Sequence, residues 1–159
     1  MNSIMSRIAA AGLLFVFWAV MPDRYQAGED HERVMLLAAL AVRAEFADRP
    51  VTVDLAPSVE QQGVLASRIA AAMDGRVSSL QNTMVCTSPS PRDCRLGGSI
   101  AHRRLHPPIF ATDRASVRIE TRFQSHSSRQ PVGAKVFDVS LVRGRQGWEV
   151  ADKKVIAVT

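Results

Sequence analysis

The sequence predicts an α+β protein: an N-terminal membrane-targeting helix, then two helices packed on an antiparallel sheet of about three to five strands. Three observations lead to this prediction. An uncharged apolar run lies near the start of the chain, two segments of helical periodicity follow it, and apolar and polar residues alternate in the last third. We therefore divide the chain into a targeting segment, residues 1–29, and a single α+β domain, residues 30–159.

The first 29 residues have the layout of an export signal. Arg7 precedes the run Ile8–Met21, which carries no charged residue and is short for a permanent membrane span. Cleavage after Ala19 or Ala27 would leave a bulky residue at the third position before the cut, where signal peptidase needs a small one. Two outcomes stay open, an uncleaved signal anchor and a cleaved signal peptide. In both, the domain is exported, either to the periplasmic face of the inner membrane or to the periplasm.

The two cysteines favour an oxidising location. Cys86 and Cys94 are separated by a stretch rich in Ser, Pro and Asp, which are residue types that turn easily. Their spacing is not typical of a zinc site or of a redox pair. We therefore predict a structural disulfide between them, because disulfides persist outside the cytoplasm.

The first half of the domain predicts a helix followed by a strand. Asp30 can cap a helix that runs to about Phe46, and the wide apolar stripe of this helix predicts that it packs deeply. Val51–Ala56 alternates and is rich in β-branched residues, which predicts a short strand.

A second helix follows this strand. Ser58 and Gln61 form a capping box that would open a helix running to about Met73. Gly75 stands where a left-handed C-terminal cap is expected. Residues 76–113, which include the cysteine loop, are predicted to be irregular.

The last third predicts sequential antiparallel strands. Residues 115–123 alternate as in a half-buried strand with one wet face, and residues 137–142 mark the next strand. The segment Gly144–Gly147 is typical of a tight connection. Trp148 begins the final strand, which is expected to bulge near Asp152.

Trp148 is expected to be a core residue. It follows a Gly-ended turn, so it opens a strand paired with the one that holds Phe137 and Val139. We expect its indole to pack on these two side chains and on the apolar face of the first helix, because aromatic and β-branched neighbours stabilise paired strands.

The ending DVSLVRGRQGWEVADKKVI resembles the closing hairpin of nuclear-transport-factor-2-like and cystatin-like sheets, in which a strand, a Gly-containing turn and a Trp-led strand recur. The layout of residues 30–159 also resembles small exported bacterial proteins of uncharacterised function. The order helix, strand, helix before the sheet departs from the transport-factor pattern, in which the helices come first. This resemblance implies a fold and carries over no functional residue, because a fold does not define chemistry.

Charge is unevenly distributed along the chain. The net charge is +5, and residues 76–159 hold 14 Lys and Arg against 6 Asp and Glu. Arg118 and Arg122 project from one face of a predicted strand with Glu120 between them, so they are a candidate face for an anion or a partner protein. A solvated row with internal charge pairs is the alternative. No basic run exceeds two residues or alternates with aromatic residues, so we expect no nucleic-acid partner.

Motifs that would indicate catalysis or the binding of a metal or cofactor are not evident in the sequence. His102 and His106 have the spacing of a helical metal clamp, but Gly97-Gly98 and Pro107-Pro108 flank them and argue against a helix. We find no Gly-x-Ser-x-Gly elbow, phosphate-binding loop or dinucleotide fingerprint. The sequence therefore predicts no catalytic, cofactor-binding or metal-binding residue.

Two functions are compatible with these observations. The leading hypothesis is a non-enzymatic envelope protein that contacts the membrane through its N-terminal segment and binds an envelope protein or an anionic surface through its sheet. The alternative is a small-ligand binder or an enzyme with a pocket between the first helix and the sheet. The sequence leaves the oligomeric state open.

Overall fold

A computed structural model describes residues 22–59, 62–90, 93–97, 100–124 and 132–158. The apolar run Ile8–Met21, the basis of the predicted targeting segment, lies outside these residues. Within the described part of the chain, no helix combines the length and apolar character needed to cross a membrane.

Three helices and nine strands are formed by the described residues. The helices are α1 (Pro22–Ala41), α2 (Gln62–Ala72) and the single turn α3 (Leu80–Thr83). The strands are β1 (Val51–Leu55), β2 (Arg76–Val77), β3 (Met84–Cys86), β4 (Cys94–Leu96), β5 (Ala101–Leu105), β6 (Ile109–Phe110), β7 (Arg114–Gln124), β8 (Val132–Gly144) and β9 (Gly147–Val158).

Seven of these strands form one sheet, which makes the predicted fold class wrong. The strand order is β2-β1-β5-β7-β8-β9, and β6 also pairs with β7. β1 runs parallel to both β2 and β5, so the sheet is mixed, and its antiparallel part is β5 to β9 with β6. The prediction of two helices on an antiparallel sheet of three to five strands therefore counted too few strands and missed the parallel half.

The missed strands lie in residues 76–113, which were predicted to be irregular. Strands β2 to β6 all belong to this stretch. The sequence pattern does not predict β5, because two of its buried positions are His102 and Arg103, which break the apolar alternation. Its parallel partner β1 is about 50 residues away, so no hairpin turn marks the pairing.

Helix α1 also differs from its predicted bounds. It begins at Pro22 instead of Asp30, and it ends at Ala41 instead of Phe46. Proline suits the first turn of a helix, because its missing N–H has no intrahelical acceptor there. Residues 42–48 form turns, and Phe46 has a left-handed φ of 61° that no regular helix allows.

One core lies between the helices and one face of the large sheet. We call this face the inner face and the opposite one the outer face. The buried side chains of both helices and of the inner face form one cluster. Its members include Val34, Met35, Ala38, Leu65, Ile69, Val53, Leu105, Val117, Ile119, Phe137, Val139, Leu141 and Trp148.

Trp148 is buried, as predicted, and it belongs to the same core cluster as Phe137, Val139 and the apolar side chains of α1. It is 4% exposed and lies opposite Arg143 in the pairing of β8 with β9. Its ring meets the Phe110 ring edge-on with centroids 5.8 Å apart, and the Arg143 guanidinium lies 5.7 Å from its centroid. The cross-strand partner of Phe137 is Val155 instead. The tight turn Arg145-Gln146 and a bulge next to Asp152 are both present.

Gly75 is required by packing and not by a left-handed φ. The left-handed residue after α2 is Asp74, with φ 52°, and the Gly75 N–H donates to the Ala70 carbonyl at 2.8 Å. A Cβ added at Gly75 would lie 2.7 Å from the carbonyl oxygen of Val51 in β1. This close approach lets the chain turn from α2 into β2 directly beside β1.

We predict opposite effects for two glycine substitutions. Gly75→Ala should lower the free energy of unfolding by about 1–3 kcal/mol, because a methyl group would force backbone movement in a packed region. Gly63→Ala, in the exposed part of α2 with nothing within 4 Å of the added Cβ, should raise it by about 0.5–1 kcal/mol. Urea denaturation of both variants measures this difference, and equal stabilities would contradict the assigned packing.

Candidate functional site

The outer face of the large sheet carries a row of charged side chains. Strand register brings together residues from β1, β5, β7 and β8 that are far apart in sequence. We call the set the charge ladder, and it consists of Asp54, Arg104, Arg118, Glu120, Arg122 and Asp138.

Ion pairs link several members of the charge ladder. The Arg104 guanidinium lies 2.9 Å from the Asp54 carboxylate, and the Arg122 Nε lies 2.7 Å from the Glu120 carboxylate. Arg104 also faces Glu120 across β5 and β7. These four side chains are 23–40% exposed, so the pairs remain accessible from solvent.

The two arginines predicted as an anion or partner face differ in their surroundings. Arg122 is paired with Glu120, as the alternative interpretation of the row expected. Arg118 is exposed and forms no ion pair with a described residue, although Asp138 lies opposite it on β8. Arg118 is therefore the cation of the ladder that is most available to a partner.

His102 lies on the outer face next to the ladder but is buried. It is 1% exposed, and its Nδ1 is 3.0 Å from the Oγ1 of Thr52 on β1. Burial lowers the pKa of His102 to about 4, and the nearby Arg104 and Arg122 add to this effect while Asp54 and Glu120 oppose it. The imidazole is thus neutral at pH 7 and acts as a hydrogen-bonding group.

A buried arginine on the inner face could not be predicted from the sequence. Arg103 is fully buried and donates to the backbone carbonyl of Glu45, in the turns after α1. Burial lowers the pKa of Arg103 to about 10, which leaves it protonated at neutral pH. Its contact holds the residues that follow α1 against β5.

The Glu45 carboxylate connects the turns after α1 to β8 and β9. It lies 2.9 Å from the Lys135 Nζ and 3.1 Å from the Lys153 Nζ. Hydrogen bonds from these two lysines lower the pKa of Glu45. The Phe46 ring stacks on the Phe123 ring with centroids 4.8 Å apart. These contacts cover the inner face beyond the end of α1, and their charged groups pair with one another.

Cys86 and Cys94 are joined by a disulfide, as the sequence predicts. They are directly opposite each other in the antiparallel pair β3 and β4, which forms a separate two-stranded sheet. β4 contacts β7 and β8, and Leu96 is buried although it is outside the main core cluster. The disulfide thus anchors a hairpin that is attached to the large sheet.

An open groove of about 440 Å³ lies beside β6. Its walls include Ile109 and Phe110, which are 75% and 43% exposed, and the polar residues Arg114, Ser140 and Asp152. Its lining includes Ala115 and Leu141 of the core cluster but no residue of α1 or α2, whereas the alternative hypothesis expects a pocket between the first helix and the sheet. In the described residues, no three His, Cys, Asp or Glu side chains are grouped closely enough to hold a metal ion.

No protein-family model, curated protein or solved structure matches this chain. The resemblance of its last hairpin to nuclear-transport-factor-2-like and cystatin-like sheets therefore stays a prediction. The geometry of the charge ladder and its surroundings is therefore the feature that indicates a function.

We predict that His102 makes the fold sensitive to mild acid. The unfolded chain has the ordinary histidine pKa of 6.5, whereas the folded pKa is about 4, so the unfolded state takes up the proton first. The free energy of unfolding should therefore fall by about 2 kcal/mol between pH 7 and pH 5. His102→Asn keeps a hydrogen-bonding atom near Thr52 and should flatten this part of the profile. An unchanged slope in denaturation series at both pH values would contradict the assignment.

Proposed function

We propose that this chain is an exported or membrane-tethered envelope protein of a bacterium, and that its domain is a non-enzymatic module that binds a partner protein through the outer face of its sheet. The observation that supports this most strongly is the charge ladder. It presents partly exposed arginines and carboxylates in fixed positions on a rigid sheet, and such an arrangement favours specific polar recognition.

The ladder is better suited to a protein than to an anionic lipid surface. Arg104, Arg118 and Arg122 are matched by three carboxylates on the same face. A membrane of anionic lipids attracts faces with a clear positive excess, and this face has none. A partner protein can place a carboxylate against Arg118 and hydrogen-bond donors against the carboxylates of the ladder, so both the positive and the negative groups of the face find partners.

Export is supported by two independent features. The sequence carries a positive start and an apolar run at residues 1–21, and the domain contains a disulfide between Cys86 and Cys94. Disulfides are rare in the bacterial cytoplasm and persist in the periplasm. The N-terminal run then serves as an uncleaved anchor or as a cleaved signal.

A reporter fused after Thr159 tests the export proposal. A phosphatase that is active only when oxidised should be active on the wild-type fusion, because the domain would be delivered to the periplasm. The matched control is Leu14→Arg, which interrupts the apolar run and should abolish the activity. Cytoplasmic retention of the wild-type fusion would contradict export, and mass spectrometry of the mature N-terminus separates anchor from cleaved signal.

The partner face is tested by reversing one charge. Arg118→Glu should reduce recovery of a specific envelope partner from solubilised membranes about tenfold or more, because truncating or reversing an interfacial arginine costs a large share of binding. The matched control is Arg145→Glu, in the exposed β8–β9 turn, which changes net charge equally and should recover the partner like wild type. Equal melting temperatures would verify that both variants are folded.

Two outcomes would overturn the proposed face. If Arg118→Glu recovers the same partner as wild type does, the outer face is not the binding surface. Loss of salt-sensitive binding to phosphatidylglycerol vesicles in Arg118→Glu, without any protein partner, would identify the face as a membrane-contacting surface instead.

A further inference from the structure

The groove beside β6 opens on the outer face of the sheet, next to Arg118 of the charge ladder. Its floor contains Ser116 and Ser140, which lie directly opposite each other on β7 and β8. Each serine is two residues from a ladder member on its own strand, Arg118 or Asp138, so the serine side chains point to the outer face as well. The groove therefore continues the surface that is proposed to bind a partner protein.

Short side chains between longer ones produce this groove. Ile109 of β6 lies opposite Ser116, and Val142 of β8 lies diagonally across from it. These two apolar walls are 75% and 36% exposed. Arg114 lies at one end of the groove and Arg118 beyond the other, each two residues from Ser116 on β7. An apolar side chain that entered from outside would bury surface against both walls, which favours binding.

The shape of the groove favours a protein segment over a small molecule. Pockets for small molecules enclose most of the surface of their ligand, whereas this volume of about 440 Å³ is open along the outer face. A side chain that belongs to a partner protein needs no such enclosure, because the rest of the partner covers it. The occupant that fits is therefore a segment of a larger chain.

The arginines at the two ends determine which charge that segment carries. Arg114 and Arg118 are exposed, and neither forms an ion pair with a described residue. An apolar residue lies opposite Arg114 on β8, and Asp138 lies opposite both Arg118 and Lys154. The carboxylate in the groove wall, Asp152, is 3.2 Å from the Lys154 Nζ. Positive charge thus remains available at both ends of the groove.

The spacing of the two arginines matches an extended chain. Arg114 and Arg118 are four residues apart on β7, which is about 13 Å in a strand. In an extended segment, residues i, i+2 and i+4 point to the same side and span the same distance. Carboxylates at positions i and i+4 can then meet the two arginines while the side chain at i+2 lies over Ser116.

We propose that the partner of the outer face docks an extended acidic segment along β7, with carboxylates at positions i and i+4 and an apolar side chain at i+2 that fills the groove. This inference rests on the proposed function and gives its partner a chemistry. A leucine or phenylalanine at the central position would contact both apolar walls. The segment should bind less tightly at high salt, because salt screens the two ion pairs.

A labelled peptide tests the segment on the full chain. The probe is an N-terminally fluorescein-labelled, amidated peptide, GSETLTEGS, with two glutamates four residues apart and a leucine between them. The control peptide GSKTLTKGS reverses both charges, and GSETSTEGS removes the apolar side chain. Fluorescence anisotropy should show saturable binding of the probe, and both controls should bind about tenfold more weakly or worse, because each lacks one of the two complementary features.

Variants of the chain assign the contact to the groove. Arg114→Glu and Arg118→Glu should each weaken binding of the probe about tenfold, because an attractive pair becomes repulsive. Ser116→Phe fills the groove but keeps both arginines, and it should weaken binding by a similar factor. The matched control Arg145→Glu, in the exposed β8–β9 turn, should bind the probe like wild type. Equal melting temperatures verify that the variants are folded.

Three results would overturn this proposal. The probe could bind no more tightly than its control peptides, or Arg114→Glu and Ser116→Phe could both leave its affinity unchanged. Binding of dodecanoate that is lost in Ser116→Phe, without binding of the probe, would identify a site for a small amphiphile instead.

Recovery of the envelope partner separates this inference from the proposed function. If Arg118→Glu loses the partner while Arg114→Glu and Ser116→Phe recover it like wild type, the outer face binds the partner but the groove does not. If Arg118→Glu itself recovers the partner, the proposed function fails, whatever the peptide does. Loss of the partner in all three variants, together with the expected peptide affinities, supports both.

Discussion

The parallel pairing of β1 with β5 is the contact on which the rest of the structure depends. Five residues of each strand lie in register, from Val51 opposite Ala101 to Leu55 opposite Leu105. This pairing joins the helical first half of the chain to the antiparallel strands of the second half. Because α2 follows β1 and packs on the inner face, the pairing of β1 with β5 also determines which part of the sheet this helix covers.

Parallel pairing also imposes constraints on its surroundings. β2 lies beside β1, and its entry requires the backbone of Gly75 to approach the Val51 carbonyl. On the outer face, the same register places Thr52 against His102 and Asp54 against Arg104. A shift of one residue would exchange the two faces and expose the apolar side chains of β1, so the core fixes the positions of the polar pairs.

Polar groups in the interior stabilise the ends of elements and leave the middle of the core apolar. Arg103 donates to the chain just beyond α1, and the Glu45 carboxylate ties the same turns to β8 and β9. A buried cation is costly unless its hydrogen bonds are satisfied, so these contacts restrict the conformations available to residues 42–49. The turns after α1 are thus held against β5, β8 and β9.

The sequence by itself determined the local features of this protein. The alternation of β7 and β8, the turn at Arg145-Gln146, the disulfide and the burial of Trp148 all arise from neighbouring residues, and Arg118 and Arg122 share a face because strands alternate with period two. The tertiary structure alone decided which residues face them. Asp54 and Arg104 join the charge ladder through the pairings of β5 with β1 and β7, and the buried His102 and Arg103 make β5 hard to recognise in the sequence. Such long-range contacts depend on the packing of the whole core, so a local sequence pattern does not predict them.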